Sequence, residues 1–152
     1  MSDSIEAIDE ALALEEVEEL LDHAEEIVTA LILATAAYTK ERGIPFSDWV
    51  EFVSTRVAPT WDDAPGSSPI DVARLAALNV VASGGEVYEL AGDESRALLR
   101  CTWPEAEDLA YFGLTREDVD PFFEAYVPIS AHLGLTYAHR RDGDEVTLEF
   151  AR

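Results

Sequence analysis

The sequence predicts an α+β domain in which helices pack on one face of a four-stranded antiparallel sheet, in the order ααα-ββ-αα-ββ with a long N-terminal helix. Three observations carry this. Up to Ser83 the apolar residues recur at helical spacing, and Gly43–Pro45, Pro59 and Gly84–Gly85 punctuate them. The period then drops to two over GEVYELAGDESRALLRCTW. A second alternating pair, LTYAH and EVTLEF, flanks RRDGD, where Asp142–Gly143 is a strong turn signal.

The first helix is expected to run from near Asp3 or Ser4 to about Glu41, with a break near Ala11–Ala13. Gly43 stops it and Pro45 lies just beyond. PFSDWVEFVSTRV reads as a second helix with Ser47 at its N-cap, closing before Pro59. Residues 58–68, rich in Pro, Gly and Ser, read as a loop. Ser68 then suits an N-cap, Pro69 the first helical position and Asp71 the first turn of a third helix.

The first hairpin is placed at 86–91 and 95–102, turning at Gly92–Glu94. Alternation sets Ala97, Leu99 and Cys101 on one face and Arg96, Leu98 and Arg100 on the other. PEAEDLAYF is a short helix ended by Gly113, and Thr115 with Asp118 makes an acidic capping box. PFFEAYVPISAHL is a further helix, kinked at Pro128 because proline lacks the amide that bonds back one turn.

A chain of 152 residues fits one domain over 1–152, with residues 1–14 as a frayed N-terminal extension. Asp plus Glu number 32 against 10 Lys plus Arg, a formal net charge of −22. That sign opposes binding to nucleic acid or to an anionic membrane surface. Solubility, adaptation to high salt or a basic partner are the readings it leaves. Cys101 is the sole cysteine, so no internal disulfide is possible and a reducing cytoplasm is expected. MSDSIEAIDEALALEE lacks the basic stretch and apolar run of a signal peptide. Ile27–Tyr38 is shorter than the ~20 residues a spanning helix needs.

At 100° per residue Val17, Leu20, Leu21, Ala24, Ile27, Val28 and Leu31 form one stripe of the first helix, with Glu15, Glu19, Asp22 and Glu26 roughly opposite. Glu19, His23 and Glu26 have the chemistry of a divalent site. Position 20 is leucine, however, and no second Glu/His helix exists, so a solvated acidic face is expected and no metal. From Ile27 to Tyr38 the helix is apolar all round. Such a segment needs cover from its own domain, from a second copy of the chain, or from both.

No Walker loop, G-x-S-x-G or G-x-G-x-x-G occurs, and no cofactor is expected. The weak catalytic candidates are Cys101 as nucleophile with His132 or His139 as base, a small cysteine-dependent hydrolase. Against this, Cys101 reads as a buried strand residue, His132 as a cation at a helix C-terminus and His139 as a turn-flanking polar residue. An acidic protein-interaction module is a further alternative. Cys101, Trp103, Tyr111 and Tyr126 cluster around the sheet–helix junction, where an apolar pocket with a few polar tips would form. Trp61, in TWDDAPG, is expected either to cover the core or to close a cavity.

The hairpin EVYELAGDESRALLRCTW, the short helix after it, Gly134 and the ending SAHLGLTYAHRRDGDEVTLEF resemble a superfamily over roughly residues 15–150. It includes the 4-vinyl-reductase small-ligand domain, the aminothiazoline-carboxylate hydrolase-like proteins and the TRAPP subunits of Golgi transport. The vinyl-reductase pattern has cysteines around the late glycine. Here the neighbours are Ala131, His132 and Tyr137, so no metal role follows. The resemblance implies an α+β domain that dimerises through helices and holds an apolar ligand. The leading expectation is therefore a non-catalytic small-ligand-binding or sensing domain that forms a homodimer through its first helix.

Overall fold

The computed structural model describes residues 14–63 and 67–152. Helices α1 (Leu14–Glu41), α2 (Phe46–Val57) and α3 (Pro69–Ala82) precede strands β1 (Glu86–Gly92) and β2 (Arg96–Thr102). Then come α4 (Ala106–Phe112), α5 (Arg116–Val119), α6 (Tyr126–His132), β3 (Thr136–Asp142) and β4 (Glu145–Ala151). The expected start of the first helix and its break at Ala11–Ala13 lie outside the described residues. Among the described residues, no helix is long and apolar enough to cross a membrane.

The strands form one antiparallel sheet in the order β1-β2-β4-β3. The hairpin partners are consecutive, and β2 pairs with β4 to join the hairpins. One face is buried: Ala97, Leu99 and Cys101 of β2 and Val146, Leu148 and Phe150 of β4 are almost inaccessible. Helices α3 and α6 pack on that face. On the outer face Arg100 reaches Glu89 at 3.0 Å and Glu145 at 2.7 Å, tying β1, β2 and β4 through solvated charges.

Several local expectations hold for the expected reasons. Ser68 accepts the Asp71 amide at 3.3 Å and Pro69 opens α3. Thr115 and Asp118 cap α5 reciprocally. Others are corrected. Ser47 is not the N-cap of α2; Pro45 occupies that place without a side-chain cap bond, its ring fixing an extended entry. Within the expected 58–68 loop, Ala58–Asp63 is a 3₁₀ turn continuing α2. The long segment after Asp120 is not one kinked helix. It is a 3₁₀ segment, Asp120–Ala125, followed by α6. Pro128 therefore falls in the first turn of α6, where a missing amide breaks no bond of that helix. In β1 a bulge at Tyr88 shifts the register between Val87–Cys101 and Glu89–Arg100, so Leu90 comes to face Leu99.

Helix α1 leaves much apolar surface outside its own domain: Leu20 is exposed at 55%, Leu21 at 62%, Ile27 at 47% and Leu31 at 63%. The residues that α1 buries against its own domain are Thr29, Leu33, Ala36 and Thr39, on the other side of the helix. From Glu16 to Val28 almost every side chain is exposed.

The Ser83 carbonyl, at the C-cap of α3, binds the domain together. It accepts Thr29 Oγ1 of α1 at 2.7 Å and Trp103 Nε1, just after β2, at 2.6 Å. A helix C-terminus leaves such carbonyls without intrahelical donors. Gly84, at φ +79°, leaves room for this junction; a Cβ there would lie 2.6 Å from Thr29 Oγ1. Trp103 is 1% exposed, stacks on Phe122 at 4.1 Å and meets Phe123 edge-on at 6.2 Å. Trp103→Phe removes the donor and part of the buried ring system, and the lost bond alone is expected to cost about 1–3 kcal/mol. Urea unfolding measures this; an unchanged midpoint would show that the bond contributes nothing.

Candidate functional site

A cavity of about 350 Å³ opens between the helices on the side away from the sheet's outer face. Its walls come from six elements. Val28 and Ile32 project from α1, and Trp49, Val50, Val53, Ser54 and Val57 from α2. Trp61 enters from the 3₁₀ turn, while Asn79, Ala82 and Ser83 close the end of α3. Phe122, Ala125, Tyr126 and Ile129 complete the lining. No Asp, Glu, Lys, Arg or His is among these residues. The lining residues with hydroxyl or amide side chains are Ser54, Asn79, Ser83 and Tyr126.

Local sequence explains the arrangement. In α2 the spacing Phe46, Trp49–Val50, Val53 and Val57 makes one apolar face. Phe46 and Val50 anchor that face in the core, and Trp49 stacks on Phe46 at 5.4 Å. Trp61 meets Tyr126 edge-on at 6.3 Å. The turn that carries it is tied down where Asp62 Oδ1 meets His132 Nε2 at 2.6 Å. Tyr126 points its hydroxyl to the Ala76 carbonyl at 3.4 Å, and burial pushes its ionisation above the usual phenol range.

The four ligand-binding candidates read from sequence are dispersed. Tyr126 lines the cavity. Trp103 lies one layer behind, stacked on the lining residue Phe122. Cys101 is in the core beneath the sheet face, and Tyr111 is 85% exposed on α4. Trp61 closes a cavity wall, one of the two roles its loop position suggested. Trp49 and Phe122 carried no signal beyond core aromatics. Only the packing of α2 against the Asp120–Ala125 turn shows that they share a cavity.

The catalytic candidates are held apart. Strand β4 lies between β2 and β3, so Cys101 and His139 are two strands, roughly 10 Å, from each other. Across the sheet Cys101 aligns with Val146 and Arg141, whereas His139 aligns with Leu148 and Leu99. His139 stacks on Tyr137 at 5.8 Å and lies beside Phe123. His132 sits at the end of α6, paired with Asp62. Cys101 is fully buried, and burial pushes its thiol up to about 12. His23 and Glu26 are 3.8 Å apart and well exposed, and no metal-sized cluster of His, Cys, Asp and Glu occurs among the described residues. The cavity thus offers shape, aromatic surface and a few hydrogen-bonding tips, with no charged group or thiol in its lining.

The chain matches no protein-family model and no curated protein sequence.

Two expectations follow from burial. At pH 8 the Cys101 thiolate fraction is on the order of 10⁻⁴ for a pKa near 12. Ellman's reagent should leave the native protein unlabelled and titrate one thiol after denaturation; fast native labelling would contradict the burial. For His139, burial favours the neutral ring and sets its pKa below 6.5, with Glu124 and Asp120 opposing the shift and Arg141 adding to it. The unfolded chain therefore takes up this proton first as pH falls through 6.5, and the fold loses stability there. His139→Gln should show a smaller drop in urea midpoint between pH 7.5 and 5.5 than the parent, and an equal drop would show that His139 does not contribute.

Proposed function

We propose that this protein is a non-catalytic small-ligand-binding or sensing domain that forms a homodimer through α1 and works in the reducing cytoplasm. The observation that carries the ligand half is the cavity itself. Its volume suits a small molecule, its lining is aromatic and aliphatic, and a few neutral polar tips would orient an uncharged apolar ligand. The separation of Cys101 from both histidines supports binding over hydrolysis. The dimer half rests on the exposed leucines and isoleucine of α1, since a contiguous apolar stripe of this kind marks an association surface. The resemblance to vinyl-reductase-type domains carries the same expectation of a dimeric ligand holder. The single thiol fits a reducing compartment.

Native mass spectrometry of the purified protein should show a co-purified apolar molecule, or Nile red should bind and quench tryptophan fluorescence through Trp49 and Trp61. Val53→Trp fills the cavity and should weaken Nile red binding at least ten-fold while the circular dichroism stays unchanged. Equal dye affinity in parent and variant would remove the cavity as the site.

A further inference from the structure

We infer that the partner of α1 is a second copy of the same helix lying antiparallel to it, with the two-fold axis between Ile27 and Val28. This rests on the dimer reading above and adds the orientation and register.

The exposed stripe has the spacing of a coiled-coil seam. Val17, Leu20, Ala24, Ile27, Leu31, Ala34 and Tyr38 follow one another at alternating intervals of three and four, and Leu21 and Val28 flank them. All but Val17 are exposed, and Val17 is half-buried. At 100° per residue this seam lies roughly opposite Thr29, Leu33 and Ala36, which hold α1 on its own domain. A partner helix can therefore lie along the seam without meeting the body of the protein. From Val17 to Tyr38 the seam is about 32 Å long at 1.5 Å per residue.

Charge selects the direction. Glu16, Glu18, Glu19, Asp22, Glu25 and Glu26 crowd the N-terminal half of α1, whereas Ile27 to Thr39 carries no charge and Lys40, Glu41 and Arg42 follow. A parallel pair would set acid against acid along half its length. An antiparallel pair lays the acidic half of each helix on the uncharged half of the other. The seam's midpoint, between residues 27 and 28, nearly coincides with the boundary between the two halves. The antiparallel register then pairs Ala24 with Leu31 and Leu21 with Ala34, and the arrangement is self-complementary, as a two-fold interface must be.

Cysteine cross-linking of the full chain tests this, because native Cys101 is buried. The double variant Ala24→Cys/Leu31→Cys should run mainly as a covalent dimer after mild oxidation. Its two new thiols are two turns apart on one helix and cannot bond within the chain. Leu20→Cys alone should stay uncross-linked. Cross-linking by Leu20→Cys, whether or not the double variant also cross-links, would overturn the antiparallel register and leave the dimer standing. If light scattering gives a monomer for the parent and neither variant cross-links, the dimer reading falls as well. Circular dichroism confirms that each variant is folded.

Discussion

The fold turns on one helix-end carbonyl. Ser83 terminates α3 with an acceptor that no residue of its own helix can satisfy. Thr29 from the first helix and Trp103 from the strand end both donate to it. A single buried oxygen therefore fixes how α1, α3 and the sheet meet. Its donors are themselves constrained. Thr29 also bonds back to the Glu25 carbonyl at 2.9 Å, and Trp103 is clamped by Phe122 and Phe123. Buried polar groups cost free energy when unpaired, so this junction tolerates few other geometries.

The cavity is a consequence of that junction. Trp103 holds Phe122 from behind, and the other side of Phe122 is cavity wall. Ser83 and Ala82 bring the end of α3 to the same space, and α1 contributes Val28 and Ile32. Val28 also flanks the outward seam of α1. The same residue thus belongs to the cavity wall and to the edge of the surface on which a second copy would lie. Whatever orders the outer half of α1 also orders part of the wall.

The acidic half-helix has a physical reading on the same terms. Isolated helices gain little in water without tertiary packing. The segment Glu16–Glu26 is exposed along almost its whole length, and its acids lie near the N-terminal, positive end of the helix dipole. The same acids limit how that seam is used, since like charges along one strip oppose parallel stacking of identical chains.

Much of the fold was legible in the residues. Gly43, the Ser68–Pro69–Asp71 start, the Thr115–Asp118 box and Gly113 each act through local backbone chemistry, and each stands where sequence reasoning put it, whereas the last turn falls on Gly143–Asp144, one residue beyond the expected Asp142–Gly143. The α+β class and the single antiparallel sheet follow from period and order. The Tyr88 bulge and the 3₁₀ turns escaped, because they answer to sheet twist and packing and not to composition. Among cavity-lining residues, Tyr126 was legible as an aromatic near the sheet–helix junction. Trp49 and Phe122 were not, because an aromatic lining a cavity and one filling a core look alike along a chain. The sequence determined that α1 carries more apolar surface than one face of a helix can bury. Tertiary structure alone decided which side the domain covers: Thr29 finds the Ser83 carbonyl and Leu33 and Ala36 find the core, leaving Leu20, Ile27 and Leu31 outside.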